Sequence, residues 1–255
     1  MGITHKIDLN ADLGEDETPS GIARDVAMMG YISSCNIASG GHAGNAETMA
    51  AMLRAAKRHN VHAGAHPSYP DRQGFGRQPM AIAADRLRTS LSDQISALLD
   101  IAGQKNVTVH HIKPHGALYN DAQDDEELSG MLTNLAETFG LSLVGMDQSV
   151  LQKMAQKSGV GFLCESFIDR RYDDKARLVP RAQPGAVITH KDQQLEQALA
   201  LAQGNPLPLN AGNSLSIRAD TLCLHSDSDG ALASARYIHD HLVKAGFAIR
   251  AAAKK

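Results

Sequence analysis

Strand-like runs and longer helical patterns alternate from one end of the chain to the other, and no other feature narrows the fold as far. The runs are HKIDLNAD, SSCNIAS, VHAGAH, VTVHHIK, LSLVGM, GFLCESF and DTLCLHSD. Between them lie amphipathic stretches such as NAETMAAMLRAAKRHN and AADRLRTSLSDQISALLDIAGQK. In SDGALASARYIHDHLVKAG, Leu232, Ala235, Ile238, His239 and Leu242 fall at helical spacing. Regular β-then-α order implies a parallel sheet with right-handed crossovers. Seven such units in 255 residues predict one (β/α) barrel domain spanning 1–255. An open doubly wound sheet is the alternative, but the chain has no GxGxxG after its first strand and no GxxxxGK[ST].

Side chains alternate across a strand, so each run divides into two faces. Ile7, Leu9 and Ala11 share one face of the first run; Asp8, Asn10 and Asp12 share the other. Ser34 and Asn36 oppose Cys35 and Ile37, and His62, Gly64 and His66 oppose Val61, Ala63 and Ala65. His111 and Lys113 share a face, as do Leu163 and Glu165; Cys223, His225 and Asp227 oppose Leu222 and Leu224. In a barrel the outward face packs on helices, whereas the inward face turns polar at the C-terminal mouth, where catalytic groups sit. The polar members here gather at the C-terminal ends of their runs. The stretch VHHIKPHGALYN, with three histidines and a lysine, is therefore expected to form one wall of an active site.

The chemistry at that mouth has two readings. Asp12, His42 and His66 have the residue types of a divalent-metal set, although no HExxH or HxxxH spacing fixes two ligands on one element. The same groups can serve as general acids and bases without metal. Lys113 and His115 flank a proline that stiffens the backbone carrying both. Glu165 is either a base or the salt-bridge partner of Lys113. Asn10 and Asn36 are candidate substrate contacts. The long excursion Asp169 to Ile188 carries Arg170, Arg171, Arg177 and Arg181, which could grip a carboxylate or phosphate, or pair with Asp169, Asp173 and Asp174. SGGHAGN places His42 in a glycine loop just before a helix, and GAHPSYPDRQGFGR is turn-rich enough to fold over the mouth. No GxSxG elbow supports a serine triad.

Composition removes several classes. Lys+Arg 25 against Asp+Glu 28 leaves no basic surplus for nucleic acid. No apolar run is long enough to span a bilayer, and the N-terminus has no signal-peptide core, so a cytoplasmic protein is expected. Cys35, Cys164 and Cys223 form no CxxC pair and are read as buried thiols.

Six of these segments also carry a resemblance. IDLNADLGE, NIASGGHAGN, GAHPSYPDRQGFGR, IKPHGALYN, ESFIDRRY and LVPRAQPGAVI are similar, in order, to the signature blocks of the LamB/YcsF family, the A subunits of 5-oxoprolinases. The resemblance covers Ile7 to about Asp227. It implies a seven-stranded (β/α) barrel similar to the glycoside hydrolase/deacetylase superfamily. It also implies ATP-dependent opening of 5-oxoproline to L-glutamate, with Mg2+ and two partner subunits, B and C; a homo-oligomer is compatible with it. Asp12, His42, His66, Lys113, His115, Glu165, Arg170, His225 and Asp227 stand in matching blocks and inherit the site. There are departures. The family usually reads Cys at Ala11, an aromatic at Gly41 and a carboxylate at Asn45, so an altered substrate or metal affinity is expected. A stand-alone metal-dependent amidohydrolase or deacetylase, and a non-catalytic binding subunit, are the competing functions.

Overall fold

The computed structural model describes residues 5–209, 213–224 and 230–252. Seven parallel strands close into a barrel: β1 (His5–Leu13), β2 (Ser34–Ala38), β3 (His62–His66), β4 (Val109–Ile112), β5 (Ser142–Met146), β6 (Phe162–Phe167) and β9 (Thr221–Leu224). Closure comes from β1 against β9, with Asp8 opposite Thr221 and Ala11 opposite Leu224. An eighth parallel strand, β10 (Phe247–Ile249), pairs with the first residues of β1, His5 to Ile7. The short pair β7 (Leu207–Pro208) and β8 (Ser214–Leu215) is antiparallel and stands apart from the barrel.

The helices follow in chain order: α1 (Pro19–Met28), α2 (Ala46–His59), α3 (Ala84–Lys105), α4 (Gly116–Asp121), α5 (Glu126–Phe139), α6 (Val150–Lys157), α7 (Lys191–Gln203) and α8 (Ala231–Lys244). Their apolar stripes cover the outward faces of the strands. Met49, Met52, Leu53 and Ala56 of α2 lie at helical spacing and are buried with Leu9, Cys35 and Ile37 in one continuous core. None of the described helices is long and apolar enough to cross a membrane.

Inside the barrel the packing is unusual, because the layers are polar. Gly64 on β3 makes this possible: a Cβ there would lie 2.1 Å from His111 Nε2. The missing side chain gives the His111 imidazole its place within the barrel. Beyond β4 the chain keeps its pairing, since Lys113 N–H donates to Ala65 O at 2.9 Å and His115 N–H donates to Pro67 O at 2.8 Å. Pro114 falls between these donors, at a position whose nitrogen the ladder does not use. The proline therefore costs no hydrogen bond and fixes the direction of both flanking side chains.

Candidate active site

A hydrogen-bonded network runs up the barrel axis. Asn10 Nδ2 donates to Thr221 Oγ1 at 2.7 Å and to Glu165 Oε1 at 3.1 Å. Asn36 Nδ2 donates to Asn10 Oδ1 and Asp12 Oδ1, both at 2.8 Å, and Asn36 Oδ1 accepts from His111 Nε2–H at 2.7 Å. His111 is buried, which lowers its pKa to about 3 and keeps it neutral. At the top of this network Lys113 Nζ lies 2.8 Å from both Asp12 Oδ1 and Glu165 Oε1, and 3.2 Å from Cys223 Sγ. Burial works to lower the Lys113 pKa, but Asp12, Cys223 and Glu165 more than offset it, and the pKa is held well above its usual value. The Cys223 thiol is pushed up by burial against the relief that Lys113 provides, and stays protonated.

Beside this ion triad is a group of imidazoles. Glu15, His42, His66 and His115 bring ligand-capable atoms within 4.8 Å of one another. His42 and His115 stack with centroids 3.6 Å apart and planes 3° apart, and His66 meets both edge-on. Burial, then the neighbouring His66, drives the His42 pKa down to about 2; burial, then His42, holds that of His115 well below its usual value. The loop over them is fixed by two left-handed residues, Phe75 at φ 56° and Gly76 at φ 62°. This turn aims Phe75 O at His115 Nε2, 3.0 Å away, and Gly76 O at Ala117 N–H, 2.9 Å away. A Cβ on Gly76 would lie 3.0 Å from His42 Cβ and 3.2 Å from His115 Cδ2, so only glycine lets the loop rest on the pair.

These groups open into a cavity of about 680 Å3 at the C-terminal mouth, lined by Asp12, Glu15, His66, Lys113, His115 and Tyr119 below and by Arg170, Arg177 and Arg181 on the rim. Of the expected site residues, Asp12, His66, Lys113, His115 and Arg170 therefore share one cavity. Asn10, Asn36 and Glu165 lie beneath it and hold the floor in place. Glu165 takes the salt-bridge alternative: its Oε1 binds Lys113 and Asn10, and it does not line the cavity. His225 and Asp227 lie outside the described residues. The other histidine of VHHIKPH, His110, stacks on His62 at 3.9 Å, at the opposite end of the barrel.

The arginine loop divides its work. Arg170 is buried; its Nη2 donates to Val179 O at 2.7 Å and its Nε has no hydrogen-bond partner. Burial, then Arg181, lowers its pKa. Arg177 forms a bidentate pair with Asp124, Nη2 to Oδ1 at 2.7 Å and Nε to Oδ2 at 3.0 Å, so its carboxylate partner comes from across the mouth rather than from the loop's own aspartates. Arg171 faces a different cleft, with Tyr172, Val179 and Leu207.

Two departures from the family pattern fall away from the cavity. Gly41 lines a separate surface cleft; a Cβ there would meet Gln94 Oε1 at 2.3 Å and Ser68 Oγ at 2.4 Å, so Gln94 fills the room an aromatic would need. Asn45 caps α2, accepting from Glu47 and Thr48 N–H in a capping box, and its Nδ2 donates to Glu17 at 2.7 Å. Conversely, Glu15 and Tyr119 line the cavity and were missed by strand alternation. Glu15 lies beyond the end of β1, where that period stops; its signal was adjacency to Asp12 in the block IDLNADLGE.

The LamB/YcsF family pattern matches residues 7–255. The A subunit of a 5-oxoprolinase from Methylococcus capsulatus is 39% identical over 247 residues, 96% of this chain and 95% of that protein. The crystal structure of a lactam utilization protein from Thermus thermophilus superposes with a TM-score of 0.89 at 35% identity, covering 96% of this chain and 99% of that one. A deacetylase solved with substrate matches at 12% identity and a TM-score of 0.49, over 98% of this chain and 89% of that one. Barrel, block order and near full-length match agree, and the chain belongs to the LamB/YcsF family.

Proposed function

We propose that this chain is the A subunit of an ATP-dependent 5-oxoprolinase that opens the lactam of 5-oxoproline to L-glutamate in the cytoplasm, together with subunits B and C. The observation that carries the reading is the cavity itself. An ammonium held by two carboxylates forms its floor, and the Arg170 guanidinium stands on its rim. A small cyclic amide bearing a carboxylate matches that pattern: the carboxylate meets Arg170 and the ring amide meets Lys113 and Asp12. Three buried free thiols suit a reducing compartment.

An unstrained lactam is a poor electrophile. Phosphorylation of its oxygen by ATP, with Mg2+ and the partner subunits, turns that oxygen into a leaving group. Water then attacks the ring carbonyl carbon and gives its proton to Asp12, which lines the cavity while its Oδ1 is tied to Lys113. Lys113 stabilises the negative charge that develops on oxygen. The C–N bond then breaks as the ring nitrogen takes a proton to become the amino group, leaving an acyl phosphate. A second water hydrolyses that acyl phosphate to release phosphate and the new side-chain carboxylate of glutamate.

A second reading, a metal-dependent amidohydrolase that works alone, draws on the group Glu15, His42, His66 and His115. Glutamate release from 5-oxoproline separates the two. The first reading expects release only with ATP and both partner subunits, and a KM raised about tenfold or more in Arg170→Ala, with poor rescue by Arg170→Lys because the planar fork is lost. Release by this chain alone, without ATP and abolished by chelator, would favour the second.

A further inference from the structure

His66 and His115 meet through atoms that ought to repel. His66 Nδ1 lies 2.7 Å from Lys113 O, and a main-chain carbonyl can only accept, so the proton of that ring is on Nδ1. His115 Nε2 lies 3.0 Å from Phe75 O and carries its proton for the same reason. With both rings neutral, the remaining nitrogens, His66 Nε2 and His115 Nδ1, present bare lone pairs to each other at 3.0 Å. Carboxylate oxygens add to the crowd: Glu15 Oε1 is 3.4 Å from His115 Nδ1 and 4.0 Å from His66 Nε2, and Asp12 Oδ2 is 3.3 Å from His66 Nε2. Lone pairs converge like this around a shared positive charge.

We propose that Glu15, His66 and His115 hold a divalent cation of the zinc class at the barrel mouth, with His42 positioning Glu15. Bonds of about 2.0–2.1 Å around a tetrahedral ion set neighbouring ligand atoms roughly 3.3 Å apart. The separations of 3.0 and 3.4 Å bracket that spacing, and a small rotation of Glu15 closes the 4.0 Å edge. Metal-binding imidazoles donate their second N–H to a fixed acceptor, as His66 does to Lys113 O and His115 to Phe75 O. His42 Nε2 lies 3.1 Å from Glu15 Oε1 and His42 does not line the cavity, so it orients the carboxylate from behind. The three ligands do line the cavity, which leaves a fourth coordination position facing the space where substrate would sit. Asp12, the carboxylate of the sequence-based metal set, is instead anchored through Oδ1 to Lys113 and Asn36.

The inference concerns binding and stands apart from the lactam reading, so its test needs no activity. Chelator-stripped full-length protein is titrated with Zn2+ by calorimetry, and the Zn2+-dependent rise in melting temperature is recorded alongside. One ion per chain is expected, with affinity lowered at least tenfold in Glu15→Gln and in His115→Ala. His62→Gln, at the other end of the barrel, should bind as wild type does. Glu15→Gln keeps shape and size, so it reports on the ligand even if His115→Ala folds poorly. Wild-type protein that neither binds Zn2+ nor gains stability from it would overturn the proposal and leave a proton shared between the two rings, visible by NMR as an imidazolium. Equal affinity in wild type and Glu15→Gln, or an equal loss in His62→Gln, would overturn the ligand assignment.

Discussion

Replacing Lys113 with methionine isolates the energetics of the buried floor. Lys113 is 2% exposed, and its two carboxylate partners, each 2.8 Å away, are nearly as enclosed. Methionine matches the length of most of the lysine stem, so the loss is mainly of charge. Two carboxylates then face each other across the gap with no cation between them. Removing one partner of a buried ion pair costs about 3–5 kcal/mol, and that is the expected drop in unfolding free energy at pH 8. The sign with pH follows from the acids left behind. Without Lys113 the folded-state pKa of at least one carboxylate rises above its unfolded value. The deficit is then fully present above that raised pKa and shrinks as pH falls towards about 4, the unfolded value. Urea titrations at pH 5 and pH 8 measure it, and the double variant Lys113→Met with Glu165→Gln should recover more than half of the loss. A deficit below about 1 kcal/mol at pH 8, or one of equal size at both pH values, would show that the triad is solvated well enough to need no counter-ion.

Two further outcomes test the supports of the mouth. Asp25 accepts from Gly14 N–H at 2.8 Å, and its burial raises its pKa to about 6, so its ionised form opposes folding. That opposition grows as pH rises from about 4 through 6 and is complete above it; Asp25→Asn should therefore gain up to about 3 kcal/mol at pH 7.5 and almost nothing at pH 4 by urea titration, and a gain independent of pH would contradict the assignment. Gly76→Ala forces a Cβ against His42 and His115 at φ 62°, so we expect a loss of about 1–3 kcal/mol together with weaker Zn2+ binding; an unchanged melting temperature and unchanged affinity would mean that the loop is not held by the imidazoles.

The strands and their inward faces could be read directly, because a period of two carries both the core and the polar floor in the same few letters. Asn10, Asp12, Asn36, His111 and Lys113 share the barrel interior for that reason. Residues past a strand end escape this rule. Glu15 and the turn at Phe75 and Gly76 are placed by loop dihedrals and by a carbonyl reaching across to His115, and neither has a local signature. Glu165 shows a different limit: whether it meets substrate or Lys113 is decided by barrel closure, which brings β6 to β9 and the network of β1 to both. Gly41 and Asn45 were read as changes beside His42, yet the space at Gly41 is settled by Gln94, a residue distant in sequence on α3. Sequence adjacency to a site residue says little about which way a loop atom faces.

The pairing of β1 sets the order in which this molecule can be completed during synthesis. Its N-terminal half waits for β10 and its C-terminal half for β9, while β2 covers only the other edge. Until those C-terminal strands have emerged from the ribosome, one side of β1 offers unsatisfied N–H and C=O groups to any strand that passes. The pairs that close the ring span almost the whole chain, so the entropy of ring closure falls late and in one step. Nascent chains arrested before β9 should accordingly be prone to chaperone capture and to strand exchange with one another, and release of the final strand, rather than growth of the helices, should mark the moment of commitment.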